Sequence, residues 1–261
     1  MWVQFPPNTP NKNKMTKNSI TSALLIIGDE ILSGRTEDKN INFIAKNLTE
    51  MGINLREVRV VADIEAEIIS AVNSLRNKFD YVFTSGGIGP THDDITSESV
   101  AKAFNDIFEK NLTAEQILIQ HYGAENINEA RLKMAYMPRS ATLLENSISS
   151  APGFIIGNVF VMAGIPKIFQ AMFEVAKSQL KVGEKIKSIE IKITLTESVI
   201  ARPLTEIQKK YSAVSMGSYP FDGGTSLVFR SSNYQLLEES SSEMIKILKS
   251  IKDDAILSIK S

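Results

Sequence analysis

The chain has 261 residues, 29 of them Lys or Arg and 30 Asp or Glu, for a formal charge of -1. A balance so near neutral gives no electrostatic case for nucleic acid or an anionic membrane as partner. The absence of cysteine excludes disulfides, thiolate metal sites and cysteine nucleophiles.

Hydrophobic residues make up 43%, enough for a sizeable core, and the length suits one large domain or two small ones. No apolar run approaches the roughly 18–20 residues that span a bilayer. The first residues lack the apolar centre of a signal peptide, so the expected location is cytoplasmic. Residues 1–19 are rich in Asn, Pro and Lys and are expected to be a disordered extension.

Ile20–Ile27, I-T-S-A-L-L-I-I, is a dense apolar run that reads as a strand buried on both faces. Ile41, Ile44, Ala45, Leu48 and Met51 then recur at helical spacing, with Gly52 where a C′ glycine belongs. Residues 53–62 read as a second strand, and Ile64, Ile68, Val72 and Leu75 mark the next helix face. Tyr81, Val82 and Phe83 form a third strand, and residues 97–105 a helix. Strands alternating with helices over short connections predict a mostly parallel sheet covered on both faces, a three-layer α/β/α domain over residues 20–182.

Residues 113–122 and 128–136 read as helices with a break at Gly123. Short strands are expected at 141–144, 153–156 and 159–162, and a helix at 167–180. The lysine-rich stretch 181–187 reads as a domain boundary. Beyond it, a strand at 188–195, a helix at 199–211, strands at 213–219 and 225–230 around F-D-G-G and a helix at 233–251 predict a small α+β domain over residues 186–256.

The chemistry concentrates in T-S-G-G-I-G-P-T-H-D-D-I-T, residues 84–96, between the third strand and its helix. In open α/β sheets such loops hold ligands. Gly86, Gly87 and Gly89 with Pro90 and Thr91 can form an anion cradle of backbone N–H groups at a helix N-terminus. The same glycines also suit a plain tight turn. The loop is neither a P-loop nor a dinucleotide fingerprint. Asp93 and Asp94 make sense beside a cradle if a divalent metal such as Mg2+ bridges a carboxylate to a phosphate. Helix capping by Asp94 or Thr96 is the alternative. Asp63 ends the second strand and is either an N-cap or a carboxylate facing the same ligand. Asp29 and Glu30 end the first strand at the same sheet edge. Arg35 can fork onto a phosphate. His92 lies inside the loop, but with His121 as the only other histidine a histidine metal site is not expected.

The loop resembles the signature of the MoaB/Mog molybdopterin-binding domains. G-D-E-I-L-S-G-R-T-E-D-K-N-I-N-F-I-A, S-A-P-G-F and V-S-M-G-S-Y-P-F, in this order over about residues 20–230, narrow the resemblance to the CinA-like (competence/damage-inducible protein A) branch, related also to the N-terminal domain of eukaryotic FAD synthases. The resemblance implies a MoaB/Mog-like fold followed by a KH-like domain. That domain lacks the G-x-x-G loop of nucleic-acid binders. It implies a pterin or nucleotide diphosphate seated by Gly28, Asp29, Glu30, Gly34 and Arg35, by Ser85, Gly86, Gly87, Gly89, Pro90, Thr91 and Thr96, and by Gly164 and Pro166. Two aspartates important in molybdopterin-handling members fall on Asp63 and Asp94, and Asp63, Asp93 and Asp94 would hold the metal.

Three activities are compatible: metal-dependent hydrolysis of a nucleotide diphosphate such as ADP-ribose, molybdopterin binding or adenylyl transfer, and ligand binding without catalysis. Self-association is a tendency of the family. Ala163-Gly164-Ile165-Pro166 departs from its usual Pro-Gly-x-Pro. The resemblance does not extend to the amidase domain of CinA or the flavin-adenylating domain of FAD synthases, so neither activity is carried over.

Overall fold

β1, Ile20–Ile27, is the inner strand on which the first part of the chain is assembled. The structure is a computed structural model and describes residues 20–261; the extension expected at 1–19 lies outside the described residues. From Ser22 to Ile27 every residue of β1 is buried. Ala23, Leu25 and Ile27 join one core cluster, and Leu24 and Ile26 therefore face the other side. Both faces are apolar because both are covered.

After β1 come a one-turn helix, α1 (Asp29–Leu32), then α2 (Asn40–Glu50), β2 (Ile53–Val61), α3 (Glu65–Arg76), β3 (Tyr81–Ser85) and α4 (Thr96–Ala103). The chain continues through β4 (Phe108–Lys110), α5 (Leu112–Tyr122), α6 (Glu129–Lys133), β5 (Tyr136–Pro138), β6 (Thr142–Leu144), β7 (Gly153–Ile156), β8 (Val159–Met162) and α7 (Pro166–Ala176). The six-stranded sheet has the order β2-β1-β3-β8-β7-β6. β2, β1, β3 and β8 are mutually parallel, β7 runs antiparallel to them, and β6, antiparallel to β7, runs with the first four.

On one face, Ile68, Ala71, Val72 and Leu75 of α3 and Val100 of α4 pack with Ala23, Leu25 and Val82. On the other, Leu24, Phe83 and Phe160 form one cross-strand row. Phe83 stacks on Phe160 and Phe173, and Phe43 of α2 meets Phe169 and Phe173 edge-on. The expected three layers are present. Open sheets keep ligand sites at the carboxyl ends of their strands, so Ile27, Val61, Ser85 and Met162 end at the edge of interest.

Several expectations are corrected. The stretch 128–136 is helical only as α6, and its end becomes β5, which pairs antiparallel with β4. β4 and β5, three residues each, are too short to show a period, and their mutual pairing defines them. The helix expected at 167–180 ends at Ala176 and continues as a 3-10 turn, Lys177–Gln179.

A second compact unit comprises Glu184–Ser261 together with the short stretch Thr49–Gly52. That unit contains β9 (Lys187–Ile193), α8 (Glu197–Lys210), β10 (Ser215–Phe221), β11 (Gly224–Ser231), α9 (Tyr234–Ile251) and β12 (Ile256–Lys260). Its sheet, ordered β10-β11-β9-β12, is antiparallel throughout, and the element order is the split β-α-β pattern. Ile189, Ile191 and Ile193 pack with Leu227, Phe229, Leu237, Met244 and Leu248 into a core of its own. β12 was not anticipated: it is a short terminal strand with a register shift between Ile256 and Ser258. No helix among the described residues is long and apolar enough to cross a membrane.

Candidate functional site

The Gly loop leaves β3 through two glycines that its own geometry demands. Gly86 and Gly87 have φ of 111° and 68°. A Cβ on Gly86 would lie 2.1 Å from the Ile27 carbonyl oxygen, and one on Gly87 2.0 Å from Thr96 Oγ1. The turn is tied down from both sides: Gly86 N–H donates to the Met162 carbonyl at 3.1 Å, and Thr96 N–H to the Gly87 carbonyl at 2.9 Å. The tight-turn requirement is therefore met whether or not a ligand follows.

Beyond the glycines the loop closes on Asp94. Its Oδ2 accepts from Thr91 N–H at 2.8 Å and from Thr91 Oγ1 at 2.5 Å. The helix-cap alternative for Asp94 and Thr96 fails: the N-cap of α4 is Ile95, without a side-chain bond. Thr96, expected to touch ligand, is fully buried beneath Gly87, and its hydroxyl has no hydrogen-bond partner. Asp93 points outward beside His92, 3.9 Å away. A hydrogen bond from Thr91, aided by its own N–H and by the charges of His92 and Lys133, holds the Asp93 carboxyl below the usual range. Lys133 of α6 donates from Nζ to the Thr91 carbonyl.

Asp63 does not cap α3, whose N-cap is Ile64 without a side-chain bond. Its Oδ2 instead accepts from Asp29 N–H at 3.0 Å, tying the end of β2 to the start of α1. Burial pushes the Asp63 carboxyl above its ordinary range. The charges of Asp29, Glu30 and Asp93 push it further, against the lowering effect of the Asp29 bond. The acidic positions expected at one sheet edge thus act on one another. Among the described residues no three metal-ligating side chains are close enough to hold an ion by themselves, and Asp94 is committed to Thr91. The residues fit a Mg2+-like ion in one way only: held by one or two carboxylates, its shell completed by water and a ligand phosphate.

A cleft of about 50 Å3 opens beside the loop, its lining including Glu30, Ile31, residues 36–40, Ser85, Gly86, Gly164 and Pro166. That is space for roughly two waters, so a nucleotide would lie over the loops with only a small group inside. The Gly loop and the Gly164 loop are in contact: a Cβ on Gly164 would meet Gly86 Cα at 3.3 Å. Asn40 of α2 clamps them, its Nδ2 donating to Ser85 Oγ at 2.9 Å and to the Gly164 carbonyl at 2.8 Å. Both amide protons are thereby used. Asn40 is 2% exposed, and its Oδ1 has no partner.

Gly28, Gly34 and Arg35 lie around α1, and Arg35 is exposed with no recorded ion pair or hydrogen bond to any described residue. Gly89 stands over Asp94, where a Cβ would come 2.7 Å from Oδ2; Pro90 and Thr91 are exposed. A larger hollow of about 340 Å3 is lined by Arg59, Val61, Ala66, Glu67, Ser70 and Ala71 and gathers no convergent polar chemistry.

Sequence reasoning missed Asn40, Asp38 and Lys133. Asp38 caps the start of α2, its Oδ1 accepting from Ile41 N–H at 2.8 Å, and D-K-N-I before an apolar period was a readable signal for it. Asn40 and Lys133 had no such signal.

Residues 23–181 match the family described as probable molybdopterin binding domain, and residues 185–255 match the FAD synthase middle domain. A probable FAD synthase of Caenorhabditis elegans is 34% identical over 226 residues, covering 77% of this chain and 44% of its own length. This chain thus spans less than half of that relative. A protein of Sulfurisphaera tokodaii is 37% identical over 199 residues, covering 72% of this chain and 76% of its own. The protein CinA of Thermoplasma acidophilum, of unknown function, superposes with a TM-score of 0.57 at 34% identity, covering 61% of this chain and 98% of its own.

Proposed function

We propose, from the premise that this chain belongs to the molybdopterin-binding domain family and carries a FAD synthase middle domain behind it, that it hydrolyses a nucleotide diphosphate such as ADP-ribose with the help of a divalent metal ion. The observation that carries the proposal is the acidic edge. Asp29, Glu30 and Asp93 each bear on Asp63 beside a Gly-rich helix entrance, where like charges close together cost stability. Such an arrangement is sensible where a cation and a phosphate arrive together. A bound divalent ion would supply Lewis-acid polarisation of a phosphoryl oxygen and a more acidic water. The chain's own part is to hold and orient. Asp63 and Asp93 are the carboxylates placed to take the ion. Asp94 keeps Thr91 and the loop backbone in the shape that receives the diphosphate. Asp29 N–H fixes the Asp63 carboxylate so that one oxygen stays directed.

The test is a hydrolysis screen of nucleotide diphosphates across a panel of divalent metals. Asp63→Ala and Asp94→Ala are each expected to lower turnover by at least about 100-fold while keeping the wild-type circular dichroism spectrum. Turnover at the wild-type rate in both variants would sink the proposal. A second reading, pterin binding without hydrolysis, is favoured by the match of residues 23–181 to the probable molybdopterin binding domain. Binding of molybdopterin by a protein inert toward every dinucleotide would select it. Self-association belongs to the proposal on family resemblance alone, and sedimentation of the full chain tests it.

A further inference from the structure

The loop that would receive the ligand is surrounded by negative charge. Asp29, Glu30 and Asp93 all raise the Asp63 carboxyl, and Asp94 adds a further carboxylate to the loop itself. A phosphate approaching this edge meets repulsion unless cations compensate it. Arg35, the cation expected for that role, has no ion pair or hydrogen bond with any described residue and sits in the exposed turn after α1. Lys133 is differently placed. It ends α6, whose start is fixed by Asn128 Oδ1 accepting from Arg131 N–H at 2.9 Å. Its Nζ donates to the Thr91 carbonyl, inside the loop, and its charge reaches Asp93. Among the described residues it forms no salt bridge. Its ammonium, partly exposed, is held on a neutral carbonyl at the one place where an incoming anion would need it.

We propose that Lys133 is a ligand-binding residue of the Gly loop, exchanging the Thr91 carbonyl for a phosphate oxygen and making the site selective for phosphate-bearing ligands. The inference rests on the reading that the Gly loop seats a phosphate, but not on hydrolysis. Lysine suits the task as a compact charge on a flexible stem that can leave one acceptor for another. A charge-assisted bond to phosphate is stronger than one to a neutral carbonyl, so the exchange favours the bound state.

Calorimetric titration with inorganic pyrophosphate and with ADP-ribose tests it, using the full chain and Lys133→Arg, Lys133→Gln and Lys133→Met. Gln keeps a donor for the Thr91 carbonyl without charge, and Arg keeps charge with altered shape. The expected result is binding weakened about tenfold or more in the Gln and Met variants and within about threefold of wild type in the Arg variant, with a smaller salt dependence where the charge is gone. Thermal melting of each variant shows whether it is folded.

Wild-type affinity in Lys133→Gln would overturn the proposal. An equal loss in Arg and Gln would also overturn it, because Lys133 would then only shape the loop. Pyrophosphate binding that depends on Lys133 in a protein without hydrolase activity would uphold this inference and sink the hydrolase reading. Hydrolysis indifferent to Lys133 would do the reverse. A wild-type protein that binds neither probe would overturn both.

Discussion

Asp63 is half-buried, and its carboxyl is pushed above the ordinary range by burial and by neighbouring carboxylates. A carboxylate raised in the folded state costs nothing below its unfolded pKa, where both states are protonated. The penalty grows as pH rises from the unfolded value to the higher folded value and is fully present above the latter. Asp63→Asn keeps an oxygen to accept Asp29 N–H and removes the charge. The variant is expected to melt about 1–3 °C above wild type near neutral pH without metal, and to match it near pH ~3. Scanning calorimetry at the two pH values checks this, and a variant less stable at neutral pH would contradict it. That carboxylates gather at this edge was legible, because each follows a strand of a parallel sheet. Which partner each takes was not. Asp63 turns to Asp29 rather than to its own helix, and Asp94 turns back to Thr91, because capping geometry depends on how the loop enters the helix.

At the scale of the element, the turn between β3 and α4 is constrained more tightly than its composition suggests. Gly86 has both a positive φ and a backbone oxygen where its Cβ would be. Gly34 has φ 71° but open space around it. Gly34→Ala is expected to cost about 1 kcal/mol, the conformational term alone. Gly86→Ala, which adds a clash that neighbouring backbone must absorb, is expected to cost at least about 3 kcal/mol. Urea denaturation of the two variants measures the difference, and equal costs would refute the packing argument. The long helices and inner strands were readable because their apolar period is sustained. β4, β5, α1 and β12 were not. Each is too short for a period, and β4, β5 and β12 are strands only because a partner offers hydrogen bonds.

At the scale of the whole molecule, the described residues form two units with separate cores. The second closes a sheet of four strands against two helices around Ile191, Ile193, Leu227, Phe229 and Met244, all fully buried. A fragment of residues 184–261 is therefore expected to fold alone, with a cooperative thermal transition followed by circular dichroism. A broad, non-cooperative melt would show that its core needs the rest of the chain. The sequence by itself determined the α/β class, the polar stretch between the two parts, and the Gly loop with its aspartates at a strand end, because periodicity and turn chemistry are local. Only the tertiary structure decided that Gly164 packs on Gly86, that Asn40 clamps both loops, that Thr96 is buried under Gly87, and that Lys133 reaches Thr91. Those pairings join residues far apart in the chain, and side-chain direction is fixed by packing rather than by neighbours in sequence.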